Sequence, residues 1–407
     1  MITFREPTIL HEAPTPATMD ETLIRSGQSA KVGTVQGDLR AEDHALIQPS
    51  EGSRILVVGQ ALFDGSVEVD GDFECGSLRS RGGLVRVNGH LAVHEDIDVE
   101  EALYVRGTVK AKKIDIGGRL SVGQSLEAES ADVGGSLEVQ GNISADSVEV
   151  GGSLEVLGGV VLKDLDAGGR VDVGGGEVIG AVDVGGTFAS HKLLKFDRID
   201  VGGTIELAGG EGRLIDVGGR LRSKGDLKCD EVDVGGIADI EGSFSGVSAD
   251  IGGRIRVSGD LQLAERLEVG GAAEIGGVLS GADVEVGGHL KASKGLLSGR
   301  AEIGGIVEAP QGFKASVIEL GKGAKCVGTL VGGTVHLGKH SQIEDVYCSQ
   351  LVVEGGTKLG KVFAESAEIG DACVVGGMVY TGELREGARV VYLTPPQKSA
   401  SLPTFPL

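Results

Sequence analysis

Acidic side chains recur through most of this sequence at intervals of 17 residues, with one step of 16 and one of 18. Each carboxylate lies two positions before a corner glycine or its equivalent and is flanked by apolar or small residues, as Glu149 is by Val148 and Val150. This alternation predicts that the carboxylates share one outer face. The residues are Asp98, Asp115, Asp132, Glu149, Asp166, Asp183, Asp200, Asp216, Asp233, Asp250, Glu268, Glu285, Glu302 and Glu319.

The chemistry of this acidic ladder has two interpretations. Repeats stacked about 5 Å apart would place like charges where they repel by about 1 kcal/mol per pair in water. In the first interpretation, salt and nearby arginines at positions 119, 170, 220 and 254 screen the row. In the second, the ladder is an edge that binds cations or a basic partner.

Other catalytic signatures are missing from the sequence. No GK[ST] follows the glycine pairs, so they predict corners and not phosphate cradles, and no GxSxG is present. The five cysteines, at positions 75, 229, 326, 348 and 373, contain no CxxC pair and predict buried, reduced thiols. We therefore predict a protein that is not an enzyme, with no catalytic residue, metal site or cofactor.

A 17-residue repeat must position these side chains. The first glycine of Val/Ile-Gly-Gly, or its equivalent, recurs from Gly117 to Gly355, a span of fourteen periods. In the unit 133–149, small or apolar residues alternate with polar ones up to Ala145, which is the period of a strand. Division of the unit as six, six and five residues predicts three short strands separated by tight corners.

A single such unit cannot bury its inner face and must stack on its neighbours. We therefore predict an all-β fold: a single elongated, three-sided parallel β-helix with 17 residues per coil. Roughly twenty coils would span about 90–95 Å. The general preference of parallel β crossovers favours a right-handed helix.

Composition agrees with narrow, glycine-punctuated coils. Glycine supplies 71 of 407 residues, Phe and Tyr together only 13, and Trp none. The hydrophobic fraction of 40% is too high for a disordered chain. A net charge of −22 argues against nucleic acid as a partner and makes membrane association weak at most. We see no secretion signal and no apolar run long enough to span a membrane.

Prolines mark the predicted domain boundaries, because proline cannot donate to a strand ladder. Residues 1–28 are assigned to a flexible N-terminal tail, and 29–64 to irregular first coils that cap the helix. Residues 65–394 are assigned to the β-helix, and 395–407 to a Pro-rich C-terminal tail. The terminal segments MITF and LPTFPL each contain a Phe that is available either to cover an end of the helix or to dock elsewhere.

The glycine-spaced units VGGSLEVQGNISA and, at 332–356, GGTVHLGKHSQIEDVYCSQLVVEGG resemble the bactofilins, a polymer-forming cytoskeletal family. The resemblance covers most of 65–393, although a typical bactofilin core is far shorter. It implies a right-handed, three-sided β-helix that joins end to end into filaments without nucleotide. It also implies a scaffold role in cell shape, polarity or envelope positioning.

We therefore expect a cytoplasmic scaffold, at most located at the inner face of the cell membrane. It would associate with copies of itself, with cell-envelope or polarity proteins as further partners. The polymerisation end is assigned to Val390, Val391 and Tyr392, with Val390 and Val391 facing inward. Open edge strands and an apolar cross-section would drive this association.

Two alternatives share the predicted architecture. Hexapeptide-repeat acyltransferases also use three-sided coils, and IGDACVVGG at 369–377 is similar to their repeats. For such an enzyme, His336 or His340 would be the candidate catalytic histidine. A rigid stalk of the adhesin type is the other alternative, and the chain lacks the export signal that this class needs.

Overall fold

The computed structural model describes residues 21–404, which form β-structure without a helix. They divide into two compact units at Gly117 and Gly118. This boundary lies within 65–394, the segment that the sequence assigns to one β-helix. The strands of the first unit are β1 Glu21–Ile24, β2 Ser29–Val32, β3 Thr34–Val35, β4 Asp38–Glu42, β5 Ala45–Pro49, β6 Arg54–Asp64, β7 Val67–Val69, β8 Asp72–Arg81, β9 Leu84–Val87, β10 Leu91–Val93, β11 Asp96–Val99, β12 Ala102–Val105, β13 Val109–Lys110 and β14 Lys113–Ile116.

The second unit contains the remaining strands and most of the regular repeats. They are β15 Arg119–Val122, β16 Leu126–Glu127, β17 Ser130–Val133, β18 Ser136–Val139, β19 Ile143–Val150, β20 Ser153–Val156, β21 Val160–Ala167, β22 Arg170–Val173, β23 Gly176–Val184, β24 Thr187–Ser190, β25 Leu194–Val201, β26 Thr204–Leu207, β27 Gly210–Val217, β28 Arg220–Ser223, β29 Leu227–Val234, β30 Ile237–Ile240, β31 Phe244–Ile251, β32 Arg254–Val257, β33 Leu261–Val269, β34 Ala272–Ile275, β35 Val278–Gly281, β36 Asp283–Val286, β37 His289–Lys291, β38 Lys294–Leu297, β39 Arg300–Ile303, β40 Ile306–Glu308, β41 Phe313–Leu320, β42 Lys325–Leu337, β43 Gln342–Val353, β44 Lys358–Ile369, β45 Val374–Tyr380, β46 Leu384–Glu386, β47 Val391–Tyr392 and β48 Gln397–Lys398.

Within each unit, strands pair in parallel with their counterparts one coil later. Residues 136–139 of β18, for example, lie opposite residues 153–156 of β20, an offset of 17. Each unit is a parallel β-solenoid, and together the two units contain about 22 coils with about 17 residues per coil. The predicted fold class and repeat length are therefore confirmed.

The core is a narrow stack of inward side chains. In the unit 133–149, Leu137, Val139, Ile143 and Val148 are at most 1% exposed and Ala145 is also buried, while polar residues such as Gln140, Ser144 and Ser147 are exposed. Aromatic residues enter the core sparingly, and five Phe are fully buried: Phe63, Phe73, Phe188, Phe244 and Phe313. The period-two alternation of the sequence thus correctly identifies the buried face.

Backbone hydrogen bonds between coils follow a directional rule. Outward residues donate to the preceding coil, as Ser153 N does to Gly135 O at 3.2 Å and His191 N to Val173 O at 3.0 Å. Inward residues donate to the following coil, as Ile143 N does to Gly159 O at 3.0 Å. Each coil therefore satisfies half of its polar backbone groups on each side, and a coil with one neighbour keeps half of them unpaired.

Glycine is required at the Val/Ile-Gly-Gly corners because successive coils approach closely there. A Cβ on Gly202 would lie 2.7 Å from the carbonyl oxygen of Gly185 in the preceding coil, and the three atoms nearest to it are all backbone atoms of Gly185. Neither glycine has a positive φ. The proximity of the coils, and not backbone conformation, therefore excludes larger residues.

We expect Gly202→Ala to destabilise the second unit by about 1–3 kcal/mol, the usual cost of overpacking. Gly159→Ala is the matched control, because its Cβ would meet its nearest atom only at 3.7 Å. Thermal unfolding of both variants tests this expectation. Equal melting temperatures for the two variants would contradict the close-approach explanation.

At other corners, side-chain oxygens of Asp and Asn accept hydrogen bonds from backbone amides of the following coil. Asp164 Oδ1 accepts a hydrogen bond from Ala181 N at 3.0 Å, and Asp283 Oδ1 accepts one from Arg300 N at 2.7 Å. Asn142 Oδ1 plays the same part towards Gly159 N at 2.8 Å. A side-chain oxygen thus replaces a backbone carbonyl where the chain turns.

Asp164→Ala should lower the stability of the second unit by about 1 kcal/mol, because it leaves the Ala181 amide without this acceptor. Asp164→Asn keeps an acceptor oxygen and should retain most of the stability, as Asn142 does naturally. Chemical denaturation of the two variants provides the comparison. An asparagine variant as unstable as the alanine variant would show that charge, and not hydrogen bonding, is what matters.

The ends of the described chain contain more strand than the sequence boundaries imply. Strand β1 lies in the stretch assigned to the tail 1–28, and it pairs with β4. The segment 29–64 forms β2 to β6, and β48 lies in the predicted tail 395–407, where it pairs with β45. MITF and the last three residues of LPTFPL lie outside the described residues.

Candidate functional site

The acidic ladder forms as a row of register partners. Asp98 pairs with Asp115 in the first unit. In the second unit, twelve carboxylates from Asp132 to Glu319 follow one another in consecutive coils. All face outward, and five are partly covered: Asp98, Asp200, Asp216, Glu268 and Glu319.

Arginines two positions before the carboxylates offset part of this charge. Arg198 contacts Asp200 at 3.1 Å. Arg266 bridges Glu268 and Glu285 at 2.7 and 2.9 Å. At the end of the ladder, an arginine at position 300 bridges Glu302 at 3.1 Å and Glu319 at 2.6 Å.

More than half of the ladder carboxylates have no compensating arginine. Within residues 21–404, eight ladder carboxylates form no ion pair, five of them consecutive: Asp115, Asp132, Glu149, Asp166 and Asp183, and then Asp216, Asp233 and Asp250. In the first unit, by contrast, Arg79 precedes Asp98 in the same column and pairs with it at 3.1 Å. Charge compensation along the ladder is therefore uneven.

The arginines that the sequence nominated as screens lie elsewhere. Residues 119, 170, 220 and 254 follow the glycine corner, which turns the chain onto another side of the coil. Arg119 Nε donates to Ser136 Oγ at 2.9 Å, and Arg170 pairs with Asp172 at 3.0 Å, neither of which is a ladder residue. The identity of the screening residues was therefore wrong, because the corner changes the face.

Neighbouring carboxylates of the ladder contribute to a shift in the pKa of Asp233. Burial, followed by repulsion from Asp216 and Asp250 on either side, raises the pKa of the Asp233 carboxyl. These three carboxylates line a surface depression of about 330 Å³ together with Glu268 and Arg266. Among the ladder residues, this segment has the clearest electrostatic strain.

Metal-ligand geometry is not preformed on this face. In the part of the chain that the structure describes, no group of three or more His, Cys, Asp or Glu side chains is placed to hold a metal ion. One carboxylate per coil supplies a diffuse negative field. Binding of cations and binding of a basic partner both stay predictions for this ladder.

The cysteines are buried in the core, as expected. Burial raises the pKa of the Cys75, Cys229, Cys326 and Cys348 thiols to about 12. A thiol with such a pKa holds almost no thiolate at neutral pH and is a poor nucleophile.

The two histidines of the acyltransferase alternative are exposed. His336 occupies the column of the acidic ladder, one coil after Glu319, and His340 lies in a turn with φ of 60°. Within residues 21–404 neither is paired with a carboxylate that would orient its ring. An acyltransferase site around them therefore has no visible orienting group.

An aromatic groove near the end of the second unit was missed by the sequence analysis. The rings of Tyr347 and Phe363 stack with centroids 4.4 Å apart and an interplanar angle of 17°. A groove of about 470 Å³ lies beside Phe363, and Thr394 and Pro395 also line it. The signal in the sequence that indicates this groove is that Tyr347 and Phe363 occupy outward positions in the alternation of apolar and polar residues.

The predicted polymerisation end lies in and beside β47, where Val391 is paired with Val374 and Tyr392 with the buried Val375. Val391 is 50% exposed. The expectation that Val391 faces inward is therefore wrong, because the register puts Tyr392 on the core side. Val390 precedes the strand and is half-buried.

Comparisons of the chain with protein families, with curated proteins and with solved structures find no match. No helix in residues 21–404 has the length and apolarity that crossing a membrane requires. The likeness to bactofilins therefore depends on the glycine-spaced repeat alone.

We expect Asp233→Asn to stabilise the second unit at neutral pH and low salt, by roughly 0.2–1 kcal/mol because Asp233 is exposed and solvent screens its interactions. A raised native pKa means that the native state favours the protonated form, so the carboxylate destabilises at high pH. This destabilisation should disappear as the pH falls through the native pKa. Melting temperatures between pH 3 and 8 measure the effect.

Glu211→Gln is the matched control with the opposite sign. Lys228 pairs with Glu211 at 2.6 Å and lowers the pKa of the Glu211 carboxyl. Its contribution is present above the unfolded-state pKa and is lost as the pH falls. Stabilisation by both substitutions would contradict this electrostatic account.

Salt provides a test of the ladder that needs no variant. Because the ladder offers a field without a preformed site, NaCl and MgCl₂ at equal ionic strength should raise the melting temperature by similar amounts. A large additional effect of Mg²⁺ or Ca²⁺ at micromolar concentrations would instead establish specific divalent binding.

Proposed function

We propose that the chain is a non-enzymatic cytoskeletal scaffold that self-associates end to end into rods or filaments without nucleotide. The observation that carries this proposal is the open outer edge of the terminal coils. Among the described residues, β1, β2 and β3 pair only with β4, β5 and β6, and β46, β47 and β48 pair only with β44 or β45. Such an edge is a template for another strand unless inward charges or prolines block it.

The surfaces of both units also support a structural role. The depressions at the ladder and beside Phe363 are open to solvent, the five cysteine thiols are buried, and within residues 21–404 neither His336 nor His340 has an orienting carboxylate. An enzyme needs a concave site with converging polar groups. The resemblance to bactofilins agrees with the same function.

A location in the cytoplasm, with docking to envelope or polarity proteins, is part of this proposal. Five reduced, buried cysteines fit a reducing compartment. The net charge of −22 disfavours direct binding to an anionic lipid surface.

Negative-stain electron microscopy and sedimentation velocity of the purified chain test the proposal. We expect linear assemblies whose abundance rises with protein concentration and does not change when ATP or GTP is added. Single chains at every concentration, or assembly that requires nucleotide, would contradict it.

A further inference from the structure

The first coil of the N-terminal unit and the last coil of the C-terminal unit differ in the residues that their inner positions carry. In the first coil these positions hold no charged residue. Ile24, Val32 and Val35 are 3%, 8% and 7% exposed, and Ala30 is half-buried. Thr22 is the one exposed member of this set.

The last coil places charge where earlier coils have apolar residues. Glu386 takes the register position of Ile369, and Lys398 that of Tyr380. The ammonium of Lys398 lies 5.9 Å from the centre of the Tyr380 ring. Inward charges on an edge oppose the addition of another strand.

Two further features block the last coil. Pro395 and Pro396 lie between β47 and β48, where proline has no amide to donate. The hydroxyl of Tyr392, also on the core side, is buried without a hydrogen-bond partner among the described residues. Burial and the neighbouring Glu386 carboxylate raise the pKa of Tyr392.

The first coil is, by contrast, prepared for pairing. By the directional rule of the solenoid, the outward residues Leu23 and Lys31 point their amides away from the second coil, towards the open side. Leu23 is also 47% exposed. Strands β1 and β2 are both four residues long and carry opposite charges at outward positions, Glu21 and Lys31.

We infer that the first coil, residues 21–35, pairs with the first coil of a second copy of this chain. A two-fold axis between β1 and β2 would set each β1 antiparallel to the β2 of the other copy. Apolar inner residues would then meet apolar inner residues, and Glu21 would lie near an opposite charge. A two-fold contact closes on itself, so with the other end blocked the assembly stops at two copies.

This inference rests on the proposed function and narrows it. Filament growth needs two adhesive ends, whereas this structure provides one. The assembly is therefore expected to be a dimer.

Sedimentation velocity of the full chain over a concentration series tests the inference with paired proline variants. Leu23→Pro removes an edge amide without removing a bond between coils, and we expect it to abolish the dimer. Lys398→Pro makes the equivalent change at the other end and should dimerise like the wild type. Circular dichroism and melting temperature should stay near those of the wild type for both.

Charge reversal keeps the test decisive if Leu23→Pro disturbs the first coil. Lys31→Glu should weaken the dimer by placing like charges together, and the double variant Glu21→Lys with Lys31→Glu should restore it. Restoration supports the two-fold pairing, and failure to restore overturns it.

The remaining outcomes separate the inference from the proposed function. Wild-type filaments that Leu23→Pro leaves intact would overturn the inference while the scaffold proposal stands. A wild type that stays monomeric would overturn the scaffold proposal. Dimers that form only after deletion of residues 1–20 would assign the edge to the chain's own N-terminal segment and overturn the inference for the intact chain.

Discussion

The structure depends on backbone hydrogen bonding between successive coils, and this bonding has a direction. Inward residues donate to the following coil and outward residues to the preceding coil, so interior coils pair on both sides, while among the described residues the first and last coils pair on one side only. Burial of the narrow apolar core accompanies this ladder and does not replace it. Both the stability of each unit and its capacity to associate follow from the same backbone interaction.

Side chains on the outer columns adjust the stability that the backbone provides. Another outer column in the same coils alternates in charge from one coil to the next, whereas the acidic ladder carries negative charge in every coil. The alternating column consists of Glu177, Lys195, Glu211 and Lys228. Alternation converts the repulsion of neighbouring coils into ion pairs. A column of like charges, such as the acidic ladder, therefore weakens the solenoid. Core packing does not explain why the ladder continues through twelve coils of the second unit.

The sequence predicted the fold well because the repeat encodes it locally. Alternation in 133–149 identified the inward residues, and the 17-residue step gave the inter-coil register. The sequence also predicts the positions of the corner glycines. The structure adds the reason that larger residues are excluded there, which is the proximity of the Gly185 carbonyl oxygen to Gly202.

The candidate sites were harder to predict, because side-chain partners depend on which face follows each corner. Arg170 and Arg266 are similarly close in sequence to ladder residues, yet only Arg266 contacts them. The inward position of Tyr392, and the charges at Glu386 and Lys398, likewise depend on register at the end of the solenoid, where the repeat is irregular. Periodicity specifies the interior coils more strongly than the terminal ones.

Residue-resolved amide hydrogen exchange, measured at low and high protein concentration, tests the central claim most directly. The account predicts that the Leu23 and Lys31 amides exchange rapidly in the single chain and become protected on association, while the Lys398 amide stays unprotected. Protection confined to residues 384–398, or none at either end, would contradict it.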